Sequence, residues 1–144
     1  MEQKIDFGES LREILNNNNI QVKDIAKQIG VSLETIYSWL KNNTEPNLSY
    51  LISMADFFEC SIEYLIGRTV DKNYIDVKSY PPFSKRVQFV LREVGISTYE
   101  LKQTTKYDGG YFYKWKRGSQ PLLSTLIELA RIADCTVDYL VGRI

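Results

Sequence analysis

The chain has 144 residues, of which 44% are hydrophobic, and its 18 lysines and arginines are balanced by 18 aspartates and glutamates. This composition is typical of an ordinary globular protein rather than a disordered one. Histidine is absent, which excludes a thiol–imidazole catalytic pair and any zinc site that uses histidine.

Other functional classes also find no support. No apolar run reaches the roughly 18 residues that a membrane helix needs, and the start MEQKIDFGES lacks the apolar core of a signal peptide. The sequence contains no Gly-rich phosphate loop, no cluster of metal ligands and no nucleophile beside a base. We therefore expect a cytoplasmic protein that is not an enzyme, with no catalytic residue, no metal, no cofactor and no membrane association.

The first three predicted helices occupy residues 7–41. The first has one apolar face, formed by Phe7, Leu11, Ile14 and Leu15. A second apolar stripe follows, formed by Val22, Ile25, Ala26 and Ile29. Gly30 then supplies a turn and Ser32 an N-cap for the third helix. The inward residues of that helix are Ile36, Trp39 and Leu40.

Two more helices are predicted after a break at residues 42–46. The fourth has an apolar face formed by Leu48, Leu51, Ile52 and Ala55. The fifth is the short segment SIEYLIG, which Ser61 caps and Gly67 ends. The first 68 residues therefore read as one five-helix unit.

The same pattern occurs a second time. Residues 46–68 align with residues 121–143 without a gap and share 11 of 23 positions. Residues 7–41 align with residues 83–117 at an offset of 76 and share 5 of 35 positions. Internal similarity of this kind marks a duplicated structural unit.

The second copy carries its own helix signals. Its first helix is indicated by Phe83, Val87, Val90 and Leu91, and its fourth by Leu122, Leu126, Leu129 and Ala130. The sequence STYE at residues 97–100 is a capping box that opens the second helix. Two prolines, Pro81 and Pro82, prevent a helix from continuing into the second copy. We therefore predict domains at residues 1–68 and 83–144, joined by a linker at residues 69–82.

The order of these elements resembles the helix-turn-helix domain of Cro/cI-type regulators, the XRE family. The resemblance is carried by QVKDIAKQIGVSLETIYSWLKNNTEP, then LISMA and the terminal YLIG, with Ala26, Gly30, Ser32 and Ile36 at the characteristic spacing. It implies an all-α fold of two tandem five-helix lambda-repressor-like helix-turn-helix domains joined by a short linker. It also implies that the third helix enters the major groove of DNA.

The resemblance assigns a set of DNA-binding positions in the first unit. Those at the start of the third helix that would reach base edges are Ser32, Leu33, Glu34, Thr35 and Ser38. Lys41 and Asn43, after this helix, would face phosphates. The alternative for each is an ordinary solvated helix position, and for Glu34 alone that alternative is favoured.

The second unit departs from the pattern at the turn. Lys102 replaces Ala26 and Lys106 replaces Gly30, and the predicted third helix begins with two glycines, which are poor helix formers. We therefore expect a remodelled turn. Residues 76–144 nevertheless carry 11 basic and 7 acidic side chains, against 7 and 11 in residues 1–75. The positions of this unit expected to contact DNA are Lys106, Gly110, Tyr111, Lys114 and Arg117.

These features favour a sequence-specific transcriptional regulator, a repressor, whose partner is double-stranded DNA. Two units in one chain could read adjacent half-sites, and the sequence leaves open whether two chains form a homodimer. The alternative is a protein-interaction module, antitoxin-like or a regulatory partner, in which one or both units have lost DNA binding. The overall charge balance and the acidic first unit favour that alternative, since nucleic-acid binders usually carry a basic face.

Overall fold

The computed structural model describes residues 5–144 and is all-helical over that range, with ten helices and no strand. The chain divides into two compact units, the first ending at Asp76 and the second spanning Val77–Ile144. Segment 69–82, expected to be a linker, contains no helix. No helix within the described range is long and apolar enough to cross a membrane.

Five helices build the first unit, close to where the apolar stripes predicted them. They are α1 (Phe7–Asn17), α2 (Val22–Ile29), α3 (Leu33–Leu40), α4 (Leu48–Phe57) and α5 (Ile62–Leu65). The predicted stripe of α1 is buried in full. In α2, Ile25 and Ala26 are buried whereas Val22 and Ile29 are half-buried, because this short helix lies at the edge of the core.

Five helices also build the second unit. They are α6 (Phe83–Glu93), α7 (Thr98–Thr104), α8 (Gly109–Lys116), α9 (Leu123–Ile132) and α10 (Val137–Val141). The expectation that Leu122 faces the core is wrong: it is the N-cap of α9 and 47% exposed, and Leu123 is buried instead. Leu123 is the equivalent of Leu48 in the repeat, so alignment locates the core position here better than helical spacing does.

A glycine sets the distance between α1 and α3. A Cβ atom on Gly8 would lie 2.3 Å from the carbonyl oxygen of Leu40 and 2.9 Å from that of Trp39. No real Cβ tolerates such a contact with backbone, so α1 can approach the end of α3 this closely only with glycine at that position. The second unit has Ser84 at the equivalent position, which is buried.

Each unit has an ion pair near its C-terminal end, in the repeated segments 59–68 and 134–143. Arg143 donates to Asp138 over 3.1 Å, and the two side chains are 2% and 4% exposed. At the equivalent place in the first unit, Arg68 lies 3.0 Å from Glu63 but is 31% exposed. The sequence pattern did not predict this pairing.

Candidate nucleic-acid interface

The turn between α2 and α3 has the predicted geometry. Gly30 adopts a left-handed conformation with φ of 77°, and its N–H donates to the carbonyl of Ala26 over 2.9 Å. Ser32 caps α3, since its hydroxyl oxygen accepts from the Thr35 N–H over 3.1 Å. These contacts fix where α2 ends and α3 begins, and α2 packs against both α3 and α4.

The inner face of α3 anchors it in the unit. Ile36 is fully buried and Trp39 is 2% exposed, and the Trp39 ring lies 5.6 Å from that of Tyr50. This tryptophan therefore belongs to the core, as predicted. Since α1 approaches the last turn of α3, at Leu40, the first turn of α3 remains at the surface.

The residues expected to read bases all lie in or just before the outer part of α3. Leu33 is 47% exposed, Glu34 is exposed, and Thr35 and Ser38 are half-buried. The hydroxyls of Ser32 and Thr35 are 2.9 Å apart, and that of Ser38 is 2.7 Å from the hydroxyl of Thr44. Each hydroxyl still has further donor or acceptor capacity, so these bonds orient the side chains without saturating them.

The turn after α3 is tied to the start of α1. Asn42 adopts a positive φ of 57°, its side-chain oxygen accepts from the Gly8 N–H over 2.9 Å, and its amide donates to Asp6 over 2.7 Å. On either side of it, Lys41 and Asn43 are exposed. Both residues expected to face phosphates therefore belong to a turn that a neighbouring helix holds in position.

A groove beside α3 contains residues that the sequence-based interpretation missed. It has a volume of about 500 Å³ and lies between the end of α1, the start of α2 and the outer side of α3. Arg12 and Lys23 line it together with Tyr37, which is 48% exposed. Two cations and a phenol beside the expected recognition helix suit contact with phosphate oxygens. Of these residues, Tyr37 could have been found from the sequence, because Tyr113 is identical to it at the equivalent position of the second copy.

The turn of the second unit is remodelled, as expected. Thr105, after α7, is extended with φ of −140° and ψ of 177°, in contrast to the left-handed glycine of the first unit. Tyr107 is 1% exposed and its hydroxyl donates to the Glu128 carboxylate over 2.9 Å. Burial and this carboxylate raise the pKa of Tyr107 to about 12, against the opposing hydrogen bond with Thr125. Among the described helices, α7 makes no contact with α8 or α9 comparable to that of α2 with α3 and α4.

The third helix of the second unit forms despite its two glycines. The Asp108 carboxylate accepts from the N–H groups of Gly110 and Tyr111, over 2.9 and 3.4 Å, and so caps α8. Gly110 is exposed, and Gly109 has no atom within 4 Å of where a Cβ would stand. Gly109 and Gly110, which are equivalent to Leu33 and Glu34 of the first unit, thus present only backbone.

The other second-unit positions form a surface of cations and aromatic rings. Lys106, Lys114 and Arg117 are exposed, and each cation lies over a tyrosine ring, at 5.6, 5.9 and 5.5 Å from the ring centroid. Tyr111 is half-buried, with its ring 5.1 Å from that of Tyr107. Tyr113, which these cations flank in the sequence, is 61% exposed.

The groove beside the third helix has a counterpart in the second unit. A cavity of about 350 Å³ lies at the corner of α6 and α7. All its lining residues match lining residues of the first groove at the repeat offset; they are Gln88, Leu91, Arg92, Ile96, Ser97 and Thr98. Both units therefore have a depression at the corner of their first two helices, with Arg12 in its wall in the first unit and Arg92, at a different position, in the second. Within residues 5–144, no three or more acidic or cysteine side chains cluster to hold a metal ion.

Comparison with known protein families agrees with the geometry of the first unit. A family model described as helix-turn-helix matches residues 11–65, which include α2, the Gly30 turn and α3. No curated protein matches the chain. The matched family indicates DNA binding and transcription regulation in general. The match covers 55 of the 144 residues and supports a helix-turn-helix of the XRE type in the first unit.

Proposed function

We propose that the chain is a sequence-specific DNA-binding repressor that reads the major groove with α3 of its first unit. The observation that carries the proposal is the exposed first turn of α3, held by the Ser32 cap and the Gly30 turn, inside a segment that matches the helix-turn-helix family. A helix placed in this way presents its N-terminal side chains to base edges. The chain would repress transcription by occupying an operator.

The chemistry of these side chains suits base readout. The hydroxyls of Thr35 and Ser38 can exchange hydrogen bonds with several base edges, and Leu33 can contact a thymine methyl group. The Glu34 carboxylate could accept from a cytosine amino group. Lys41 and Asn43 would then fix the helix in register through phosphates, which carry no sequence information themselves.

The second unit has a different part in this proposal. It acts as a second helix-turn-helix domain, with residues 69–82 as the linker, and anchors phosphates more than it reads bases. Two observations support this division: the first turn of α8 offers backbone instead of side chains at Gly109 and Gly110, and the exposed cations gather around α8. Phosphate contacts by lysine and arginine supply affinity without sequence preference.

A second candidate function is a protein-interaction module, antitoxin-like or a regulatory partner. It is favoured by the smaller contact of α7 with α8 and α9, compared with that of α2 with α3 and α4, and by the excess of acidic residues in the first unit. In this case the cations of α8 would meet an acidic protein surface. The groove cations Arg12 and Lys23 weigh against it, since they give the helix-turn-helix side of the acidic unit a local positive charge.

Selection of duplexes from a random library by the purified chain at moderate salt tests the proposal. Recovery of a motif with two half-sites about one helical turn apart, near 34 Å, would support paired helices in the major groove. A reporter gene under that motif should then be silenced by the chain in the cytoplasm. If a folded preparation enriches no sequence, the chain is not a sequence-specific DNA-binding protein and the interaction module gains support.

A further inference from the structure

One exposed residue is the same in both copies of a segment that otherwise diverged widely. Residues 7–41 and 83–117 share five identities. Four of these pairs are buried or half-buried, so packing accounts for them; they are Phe7/Phe83, Leu15/Leu91, Ile20/Ile96 and Trp39/Trp115. The fifth pair, Tyr37 and Tyr113, is 48% and 61% exposed. Packing does not explain why both copies keep a tyrosine there.

Both tyrosines have a cation four residues later, at the C-cap of the same helix. Lys41 follows Tyr37, and Arg117 follows Tyr113, so each pair lies on one face of its third helix. In the second unit the contact is direct: the Arg117 Nη1 donates to the Tyr113 hydroxyl oxygen over 3.1 Å, and the guanidinium lies over the ring. The phenol accepts this bond, so its own proton can be donated outward.

The surroundings of these tyrosines identify the chemistry of the ligand. In the first unit Tyr37 lines the groove that also contains Arg12 and Lys23. A phenol and a cation offer donors together, and a phosphate oxygen is an acceptor with a negative charge. Phosphate and sugar receive half or more of the hydrogen bonds that proteins make to DNA, and lysine, arginine and tyrosine are among their usual donors.

We propose that Tyr37 with Lys41, and Tyr113 with Arg117, form a repeated phosphate-binding pair on the third helices. Each pair binds one phosphate of the backbone of duplex DNA, the phenol through a hydrogen bond and the cation through its charge. This rests on the proposed function and adds to it a contact that both units share. The pair positions the third helix and contributes no base preference.

The neighbouring tyrosine of α8 does not fit this role. The ring of Tyr111 packs between those of Tyr107 and Trp115, at 5.1 and 5.9 Å, and the residue is half-buried. Its equivalent in the first unit is Thr35, so the repeat has no common residue at that position. The shared exposed phenol is therefore specific to the position of Tyr37 and Tyr113.

Substitution of each tyrosine by phenylalanine tests the pair, since it removes the hydroxyl and keeps the ring. Affinity for a selected duplex should fall about threefold to tenfold in Tyr37→Phe and in Tyr113→Phe. The loss should be equal for duplexes with single base-pair changes, because phosphates lack sequence information. Tyr64→Phe, at a half-buried tyrosine of α5 outside the helix-turn-helix, is the matched control and should bind as the unaltered chain does.

Salt dependence separates the two members of the pair. Lys41→Gln and Arg117→Gln should each lower the slope of log K against log salt by about 1, because each releases one counterion fewer. Tyr37→Phe and Tyr113→Phe should leave that slope unchanged, because a phenol is neutral. A merely structural role would instead lower the melting temperature of the variants, which circular dichroism measures.

The outcomes are distinguishable. The repeated phosphate-binding pair is refuted, and the proposed function stands, if the unaltered chain binds duplex DNA and either phenylalanine variant binds it equally well. The same holds if either variant binds only one base sequence less tightly than the unaltered chain does. If the unaltered chain binds no duplex at any salt concentration, the proposed function and the pair are both refuted.

Discussion

At the scale of single residues, three hydroxyl groups at the start of α3 have different roles. Ser32 caps the helix through the Thr35 N–H, so its loss would lower the stability of α3 by about 1 kcal/mol whether or not DNA is present. Thr35 and Ser38 meet other hydroxyls instead, at 2.9 and 2.7 Å. Those bonds can be exchanged for bonds to a base at little cost, which makes these two residues the better tests of base readout.

Base readout predicts a loss confined to one position of the binding site. In Thr35→Ala or Ser38→Ala, binding to the selected duplex should weaken by about 1 kcal/mol, and the preference at one base pair should relax. Competition with duplexes altered at each position in turn measures this. Ser53→Ala, at an exposed serine of α4, is the control and should change nothing. A uniform loss at all positions would contradict base readout by these hydroxyls.

The buried phenol of the second unit predicts a pH dependence. The folded pKa of Tyr107, about 12 through burial and Glu128, exceeds the value near 10 of an unfolded tyrosine. Its contribution to stability is therefore complete below about pH 10 and is lost as the pH rises from 10 towards 12. Denaturant unfolding at several pH values should show this decline in the unaltered chain.

The matching substitution is Tyr107→Phe, which should flatten the decline above pH 10. The same variant lowers stability at neutral pH, because Glu128 loses the hydroxyl that donates to it. Tyr99→Phe, at an exposed position, should retain the decline. An equally steep fall in Tyr107→Phe would show that another group dominates the alkaline transition.

Two ion pairs at equivalent positions should contribute unequally to stability. Arg143→Gln leaves Asp138 buried without its cation, which costs about 3 kcal/mol. It also removes the 2.8 Å bond from the Arg143 Nη1 to the Tyr80 hydroxyl. Arg68→Gln removes a cation that is 31% exposed from a glutamate that is 9% exposed, and should therefore cost less than Arg143→Gln. Chemical denaturation of both variants measures the difference, and equal losses would contradict an effect of burial.

At the scale of helices, local signals were enough to locate most ends. Ser32, Ser61 and Ser97 cap their helices as predicted, each by accepting an N–H from three residues later. Each of these motifs is complete within four residues, so nothing outside the segment has to be known. Gly30 is left-handed for the same local reason.

Contacts between helices were not predictable in this way. In the sequence, Gly8 is a poor helix former inside an amphipathic helix. The distance to the Leu40 carbonyl explains why glycine is required there. Tyr107 aligns with Val31 of the first unit, and the partner of its buried hydroxyl is Glu128, 21 residues later. The Asn42 bond to Gly8 spans 34 residues. Such pairs depend on how helices pack, which a one-dimensional pattern does not contain.

The close approach of α1 and α3 gives a prediction at this scale. Gly8→Ala forces a methyl group into the backbone of Trp39 and Leu40, so the two helices must separate, at a cost of about 2 to 3 kcal/mol. The same variant should weaken DNA binding, because α1 holds the turn that bears Lys41 and Asn43. Thermal unfolding and duplex binding measure the two effects.

A matched variant in the second unit isolates the cause. Ser84→Ala, at the equivalent position of α6, shortens a side chain that is already accommodated, and should change stability by less than 1 kcal/mol or so. If Gly8→Ala is as stable as the unaltered chain, the close approach does not constrain the position of α3.

At the scale of the whole molecule, balanced charge conceals an uneven distribution. The acidic excess in residues 1–75 equals the basic excess in residues 76–144. A duplex would therefore be attracted by the second half more than by the first, and long-range attraction of this kind falls with ionic strength. This distribution supports the proposed division, in which base preference would come from α3 and electrostatic affinity from the surface around α8.

Neutralising that surface tests the division. Lys106→Gln together with Lys114→Gln should weaken binding to selected and unrelated duplexes by the same factor and lower the salt slope by about 2, because two phosphate contacts are lost. Both side chains are exposed beside tyrosine rings, so stability should hardly change. Lys72→Gln together with Lys85→Gln, at two exposed lysines away from α8, is the matched control for net charge. Because it removes the same two charges elsewhere, an equal effect there would show that overall charge alone, and not the surface around α8, governs affinity.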